Sequence, residues 1–173
     1  MRALLAAITL AIPTLAQAAL PVGALAPDFT TPGAIGGKQF SFSLANALKK
    51  GPVVLYFFPA AFTSGCTIEA RQFAVASDDF AKAGATLIGV AADPIDKLAK
   101  FSVEECRNKF AVGVASPAMI SGYDVKLPVM ARSNRTSYVI GKNGRIAFVY
   151  SAMAPDGHVS GTLAAVKAFK SKK

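Results

Sequence analysis

Val53-Val54-Leu55-Tyr56-Phe57-Phe58-Pro59-Ala60-Ala61-Phe62-Thr63-Ser64-Gly65-Cys66 is the stretch whose reading decides the fold. The apolar run Val53 to Phe58 is strand-length and unbroken by polar residues, as expected of a strand covered on both faces inside an α/β domain. Pro59 cannot continue a hydrogen-bonded ladder, and Thr63-Ser64-Gly65 is turn chemistry. From Cys66 onward, Cys66, Ala70, Phe73, Ala74, Ser77 and Ala81 recur at spacings of three and four, which is a helical period. The order is therefore strand, short loop, helix, with a thiol in the helix's first turn. Free N–H groups and the positive end of the helix dipole favour thiolate there, and thiolate is the nucleophilic form. Position alone makes Cys66 a candidate catalyst.

Outward from this stretch the pattern repeats. Phe29-Thr30-Thr31 and Gln39 to Phe42 flank three glycines and predict a small N-terminal hairpin. Residues 43–49 predict a short helix stopped by Gly51-Pro52, and Lys82-Ala83-Gly84 a glycine end for the Cys66 helix. Thr86 to Ala91 is the next buried strand. Between Pro94 and Phe110, Ile95, Leu98, Ser102, Cys106 and Phe110 fall on one helical face, and the capping-box pattern Ser102-Val103-Glu104-Glu105 leaves open two short helices with a break near Phe101 instead. Ala111 to Ala115 is a short strand, and residues 116–134 form the longest irregular connection. Thr136 to Ile140 and Arg145 to Tyr150 form a hairpin across Gly141 to Gly144. A last helix, His158 to Lys170, buries Val159, Leu163, Val166 and Phe169, with His158 at its solvent-facing start. Strands alternating with helices, followed by a hairpin and a terminal helix, predict one α/β domain built on a central mixed sheet flanked by helices.

The motif P-x-x-x-T-x-x-C, filled by Pro59, Thr63 and Cys66, resembles the active-site signature of peroxiredoxins, thiol peroxidases with a thioredoxin-like fold. The longer run through Cys66-Thr67-Ile68-Glu69 is most similar to the bacterioferritin-comigratory (peroxiredoxin Q) branch. Ala26-Pro27-Asp28-Phe29 looks like the family's entry strand, and Arg135-Thr136-Ser137-Tyr138 like its arginine-bearing strand, so the likeness spans roughly residues 24–170. It implies a thioredoxin-like fold and reduction of hydrogen peroxide or small organic hydroperoxides, without metal or prosthetic group. It also implies a thioredoxin-like or small-thiol reductant and a monomer or weak dimer.

By that resemblance Pro59, Thr63, Cys66 and Arg135 are the catalytic set. Each suits the chemistry. Thiolate attack on a peroxide spreads charge along S–O–O, which a permanent cation with a fork of donors stabilises. Thr63 lies three residues before Cys66, so its hydroxyl can reach the sulfur or the peroxide, and Pro59 shapes and shields the pocket. The pair Thr136-Ser137 leading into an apolar strand favours Arg135 over nearby Arg132 as the cation. Glu69, one turn after Cys66, either orients Arg135 or is an exposed helix carboxylate. The commonest version of the branch carries its resolving cysteine five residues after the nucleophile, where this chain has Arg71. Some relatives place it on the following helix, where Cys106 lies, so the resemblance makes Cys106 the resolving cysteine; its apolar-face position also suits a buried core thiol, and a permanent disulfide stays open.

Other readings are narrowed by what the chain lacks. It has two cysteines and one histidine; the alternative, a thioredoxin-fold thiol–disulfide carrier or redox sensor, is opposed by the lack of a C-x-x-C. A copper-binding relative would need C-x-x-x-C, but Ala70 occupies that position. Nineteen Lys and Arg against ten Asp and Glu give +9, yet the cations are scattered and carry no aromatic nucleic-acid motif. Met1-Arg2, the apolar run to Ala16 and the triplet Ala16-Gln17-Ala18 read as a secretory signal peptide spanning residues 1–18, leaving a domain of residues 19–173 exported to the periplasm. The later apolar runs are strand-length, so no membrane insertion of the mature chain is expected.

Overall fold

A computed structural model describes residues 19–170, so the expected signal peptide lies outside the described residues. Seven strands form one mixed sheet in the order β2-β1-β5-β4-β3-β6-β7. The N-terminal hairpin pairs β1 (Thr30–Ile35) with β2 (Lys38–Ser43). It is not a separate ornament, because β1 also pairs antiparallel with β5 (Ala111–Val114) and so extends the sheet. At the centre β3 (Val53–Phe57) and β4 (Thr86–Ala91) run parallel, as do β4 and β5. β6 (Thr136–Ile140) returns antiparallel beside β3, and β7 (Ile146–Ser151) closes the edge.

The continuous apolar run is explained by two cores. Val53, Leu55 and Phe57 point into one layer, while Val54, Tyr56 and Phe58 point into the other; all six side chains are fully buried. The first layer holds residues of the short helices α1 (Leu44–Lys50) and α4 (Pro117–Gly122). The second is covered by α2 (Ser64–Lys82), α3 (Ile95–Glu104) and α5 (His158–Lys170). Gly84, at φ +78, ends α2: Ala85 N–H donates to Phe80 O and Gly84 N–H to Ala81 O, the paired bonds of a Schellman stop. Both cysteines belong to this second layer.

The structure decides one alternative and departs from the sequence reading in three places, each for a local reason. α3 has no break at Phe101, because the Ser102 hydroxyl donates back to Ala99 O and accepts from Gly37 N–H rather than capping a new helix. That helix ends at Glu104, so Cys106 lies just beyond it, in a turn where Glu105 and Cys106 N–H both donate to Phe101 O. Residues 116–134 are not wholly irregular, since Ser116 caps α4 through Met119 N–H. In α5 the start and end exchange environments. His158 is fully buried and Phe169 is exposed.

Candidate active site

Cys66 is the third residue of α2 and is 2% exposed. Thr63 is the N-cap residue, but its hydroxyl makes no cap bond; it donates to Ala60 O at 3.0 Å. The expected reach of Thr63 toward the sulfur is therefore not made in this state, and the exposed side chain stands at the rim of the loop. The register of β6 on β3 sets the cation. Phe57 pairs with Thr136, which places Arg135 just past the end of β3, where the loop to Cys66 begins.

Arg135 is 4% exposed and fully engaged. Nη2 donates to Cys66 Sγ at 3.5 Å, Nε to Met153 O at 3.0 Å, and Nη1 to Glu69 Oε2. Gly65 permits this approach, since a Cβ there would lie 3.0 Å from Arg135 Nη2. Burial works against the guanidinium charge, but Glu69 and Cys66 beside it outweigh that and hold its pKa above the ordinary value. Glu69 is the orienting carboxylate and not the exposed one: it is fully buried, and burial pushes it up to about 8 although Arg135 pulls the other way. Arg132, the rival cation, instead donates to Pro59 O at 2.9 Å and faces Asp93 at 3.5 Å.

Several residues of the site carry no sequence signal of their own. Asp93, 2% exposed, accepts from Ala61 N–H at 2.8 Å and from Lys97 at 2.9 Å, and so ties the loop before Cys66 to the end of β4. Ser133 Oγ donates to Phe58 O at 3.1 Å. With Arg132 on Pro59, these bonds fix the loop backbone that holds Phe62 at φ +68, a conformation unfavourable for a residue with a side chain. His158 lies behind the site, its Nδ1 2.8 Å from Ser137 Oγ and 3.6 Å from Glu69 Oε1. The phenol of Tyr56 is buried without a hydrogen-bond partner, and burial, then Cys106, Glu69 and Cys66, push it well above its ordinary range.

Cys106 is fully buried and not bonded to Cys66; both thiols are free. Burial, and then the Glu105 carboxylate, push its thiol far above the usual cysteine value. Glu105 is in turn held by Arg71 Nε at 2.7 Å. Among the described residues no group of three or more His, Cys, Asp or Glu could hold a metal ion, and no helix is long and apolar enough to cross a membrane. The concave surfaces around Phe40 and around Phe169 include none of the side chains at Cys66.

A buried cysteine at a helix N-terminus is met by an arginine that immediately precedes the adjoining strand of a mixed α/β sheet, an arrangement in which a guanidinium can stabilise a thiolate. Comparison with known proteins gives the family. The AhpC/TSA family model matches residues 22–149, and the chain belongs to that family. It is 31% identical over 156 residues to a Mycobacterium tuberculosis protein named as a peroxiredoxin, with 88% of this chain and 99% of that one covered. To the chloroplastic peroxiredoxin Q of Oryza sativa subsp. japonica it is 32% identical over 175 residues, covering 87% of this chain and 75% of the relative. The crystal structure of peroxidoxin BcpB from M. tuberculosis superimposes with a TM-score of 0.76 at 31% identity, over 85% of this chain and 96% of that one. The protein is thus a thiol-dependent peroxidase of the bacterioferritin-comigratory, peroxiredoxin Q-like branch, on a thioredoxin-like fold.

Proposed function

We propose that Cys66 is the peroxidatic nucleophile, and the observation that carries this is the Arg135 fork spanning Cys66 Sγ, Glu69 and the Met153 carbonyl. The thiolate donates an electron pair to one oxygen of hydrogen peroxide or a small organic hydroperoxide. An S–O bond forms, the O–O bond breaks, and the other oxygen leaves as alkoxide or hydroxide and takes a proton. Arg135 is already aimed at the sulfur, so it meets the charge growing on the departing oxygen without reorganising. Thr63 and Pro59 line the loop over the thiol. Rotation of the Thr63 hydroxyl from Ala60 O toward an entering peroxide would supply the second donor.

Cys106 is the proposed resolving thiol. Its sulfur displaces water from the Cys66 sulfenic acid to form a disulfide, which a thioredoxin-type dithiol or a small thiol reopens by exchange. Burial keeps Cys106 from attacking in the conformation described, so the step needs the turn after α3 to open. We also infer export to the periplasm from the sequence of residues 1–18, and a monomer or weak dimer as the working species. Mass spectrometry of the envelope fraction should find Ala19 as the first residue, and sedimentation at micromolar concentration should find one or two chains.

The deciding experiment is peroxide consumption by purified protein with a generic dithiol. Cys66→Ser should abolish turnover with little change in melting temperature. One peroxide equivalent should convert both thiols of the wild type to one intramolecular disulfide, detectable as the loss of two hydrogens by mass. Full turnover in Cys66→Ser would end the assignment. Unmodified Cys106 after several peroxide equivalents would leave a one-cysteine enzyme.

A further inference from the structure

Four polar groups meet behind the reactive sulfur: Glu69 from α2, Arg135 and Ser137 at the start of β6, and His158 from the first turn of α5. His158 Nε2 lies 3.0 Å from Ala152 O. A carbonyl only accepts, so Nε2 carries a proton. Nδ1 then faces two oxygens, Ser137 Oγ at 2.8 Å and Glu69 Oε1 at 3.6 Å. Glu69, His158 and Ser137 are all fully buried, and Oε1 has no hydrogen-bond partner. Nδ1 can accept from the Ser137 hydroxyl, but Oε1, a bare carboxylate oxygen facing that lone pair away from water, is left without a donor. One proton on either atom removes the conflict.

Charge leads to the same count. Arg135 supplies one positive charge against two potential anions, Glu69 and the Cys66 sulfur. With both ionised and His158 neutral, the buried cluster would carry an uncompensated negative charge, which a low-dielectric interior penalises. We propose that Glu69 and His158 hold one dissociable proton between them, and that this proton keeps the carboxyl from cancelling the Arg135 charge that serves Cys66. His158 is then a positioning residue acting through Glu69, an inference that rests on Cys66 being the peroxidatic residue.

The protonated carboxyl still accepts from Arg135 Nη1 through Oε2, so the fork stays aimed. Loss of the proton makes Glu69 a full carboxylate, draws the guanidinium field away from the sulfur, and slows the reaction with peroxide. Burial, which pushes Glu69 up to about 8 and His158 below its ordinary value, favours the form with the proton on the carboxyl. The other titratable and charged groups around the pair are Cys66 on α2, Arg135, Tyr56 on β3 and Tyr150 on β7, whose ring stands edge-on to His158 at 4.7 Å. Asp156, in the loop before α5, is exposed and accepts from Gln72.

The chain has one histidine, so its ring-nitrogen NMR signals in the intact ¹⁵N-labelled protein need no assignment. The expected result is an Nε2–H tautomer and an Nδ1 signal that moves in a single step near the Glu69 midpoint of about 8. That step should persist in Cys66→Ser and vanish in Glu69→Gln. The wild-type rate constant for peroxide should fall through the same midpoint. His158→Gln should lower that constant severalfold and displace the midpoint, with a thermal melt reporting any folding loss separately. An Nδ1 signal that is flat from about pH 6 to 10, a step lost in Cys66→Ser, or a step kept in Glu69→Gln overturns the proposal. If the step behaves as expected while Cys66 proves unreactive toward peroxide, the proton pair stands and the reading of the site fails.

Discussion

Cys66 and Cys106 pack in the same apolar layer, yet the first is met by a guanidinium at 3.5 Å and the second by hydrocarbon and an adjacent carboxylate. Around Cys66 every backbone segment is pinned: Phe58 by Ser133, Pro59 by Arg132, Ala61 by Asp93. Around Cys106 the backbone bonds are local, running from Glu105, Cys106 and Asn108 back to the end of α3, and Arg107 and Asn108 both sit at positive φ. Arginine is poorly suited to that conformation, so this turn stores strain of about 1 kcal/mol. The contrast teaches how one small core can serve both halves of a redox cycle. In the proposed cycle the thiol that meets substrate is preorganised by charge, and the thiol that follows is sealed in the apolar layer until the chain moves.

The largest effect should come from removing the charge. Arg135→Ala should lower the rate constant for peroxide about 100- to 1000-fold, since one preorganised donor at a developing oxyanion contributes about 3–4 kcal/mol. Stopped-flow kinetics of Cys66 oxidation measures it directly. Arg135→Lys should recover little, because a single ammonium cannot reach Sγ, Glu69 and Met153 O together. A loss of less than tenfold in the alanine variant would show that the helix N-terminus alone suffices, and the contrast between the two sulfurs would lose its cause.

Stability should separate the two thiols next. Cys106→Ser buries a hydroxyl in an apolar site and should cost about 1–3 kcal/mol, more than Cys106→Ala. Cys66→Ser, whose hydroxyl can still accept from Arg135, should cost less than about 1 kcal/mol. Chemical denaturation of the reduced proteins compares them. Equal costs would mean that Cys106 is not the apolar partner the structure shows.

Acid–base linkage gives a smaller and signed effect. Glu69 is pushed from an ordinary 4.5 up to about 8, so the folded state binds its proton more tightly than the unfolded chain. That contribution is complete below about 4.5 and is lost as pH rises through 8. His158 acts oppositely: held below its ordinary 6.5, it costs stability as pH falls under that value. Between 6.5 and 8 only Glu69 operates, so stability should decline by up to about 1.4 kcal/mol per pH unit, and Glu69→Gln should flatten the decline. A wild-type melting temperature that rises across this window would refute the buried, protonated carboxyl.

How much of this could be read in the sequence follows from how local each cause is. The strand Val53–Phe57 and the helix that carries Cys66 were legible, because a doubly covered strand and a helical period write themselves in consecutive residues. Arg135 was legible through resemblance, whereas His158 was misread as exposed: a polar residue opening a helix normally faces water, and here Ser137 and Ala152, from two other parts of the chain, satisfy it inside. Asp93 had no pattern to announce it, since its three partners are gathered by the fold. Cys106 kept helical spacing past the end of α3 because the turn packs on the same layer, so periodicity alone extended the helix too far.

The smallest effect tests the boundary between the two regions. Arg71 stands five residues after Cys66, and its Nε meets Glu105 Oε2 at 2.7 Å, tying α2 to the turn that carries Cys106. The Arg71 side chain is 52% exposed, so solvent screens the pair and its contribution to global stability should stay within about 0.2–1 kcal/mol. Its contribution to the opening of the turn can be the whole of that amount, because the backbone bonds there run to the end of α3 and the other tie to α2, Lys109 to Asp78 at 3.3 Å, is between exposed groups. Arg71→Ala should therefore leave the first oxidation of Cys66 unchanged and speed closure of the Cys66–Cys106 disulfide by up to about fivefold, as 1 kcal/mol allows. Glu105→Gln should speed closure at least as much, since it also removes the carboxylate that pushes the Cys106 thiol up, and adding Arg71→Ala to it should change little because the pair is already lost. Rapid acid quenching with thiol alkylation follows closure. Slower closure in Arg71→Ala would mean that the pair guides Cys106 toward Cys66 and does not hold it back, which would reverse the roles assigned to the pinned loop and the strained turn.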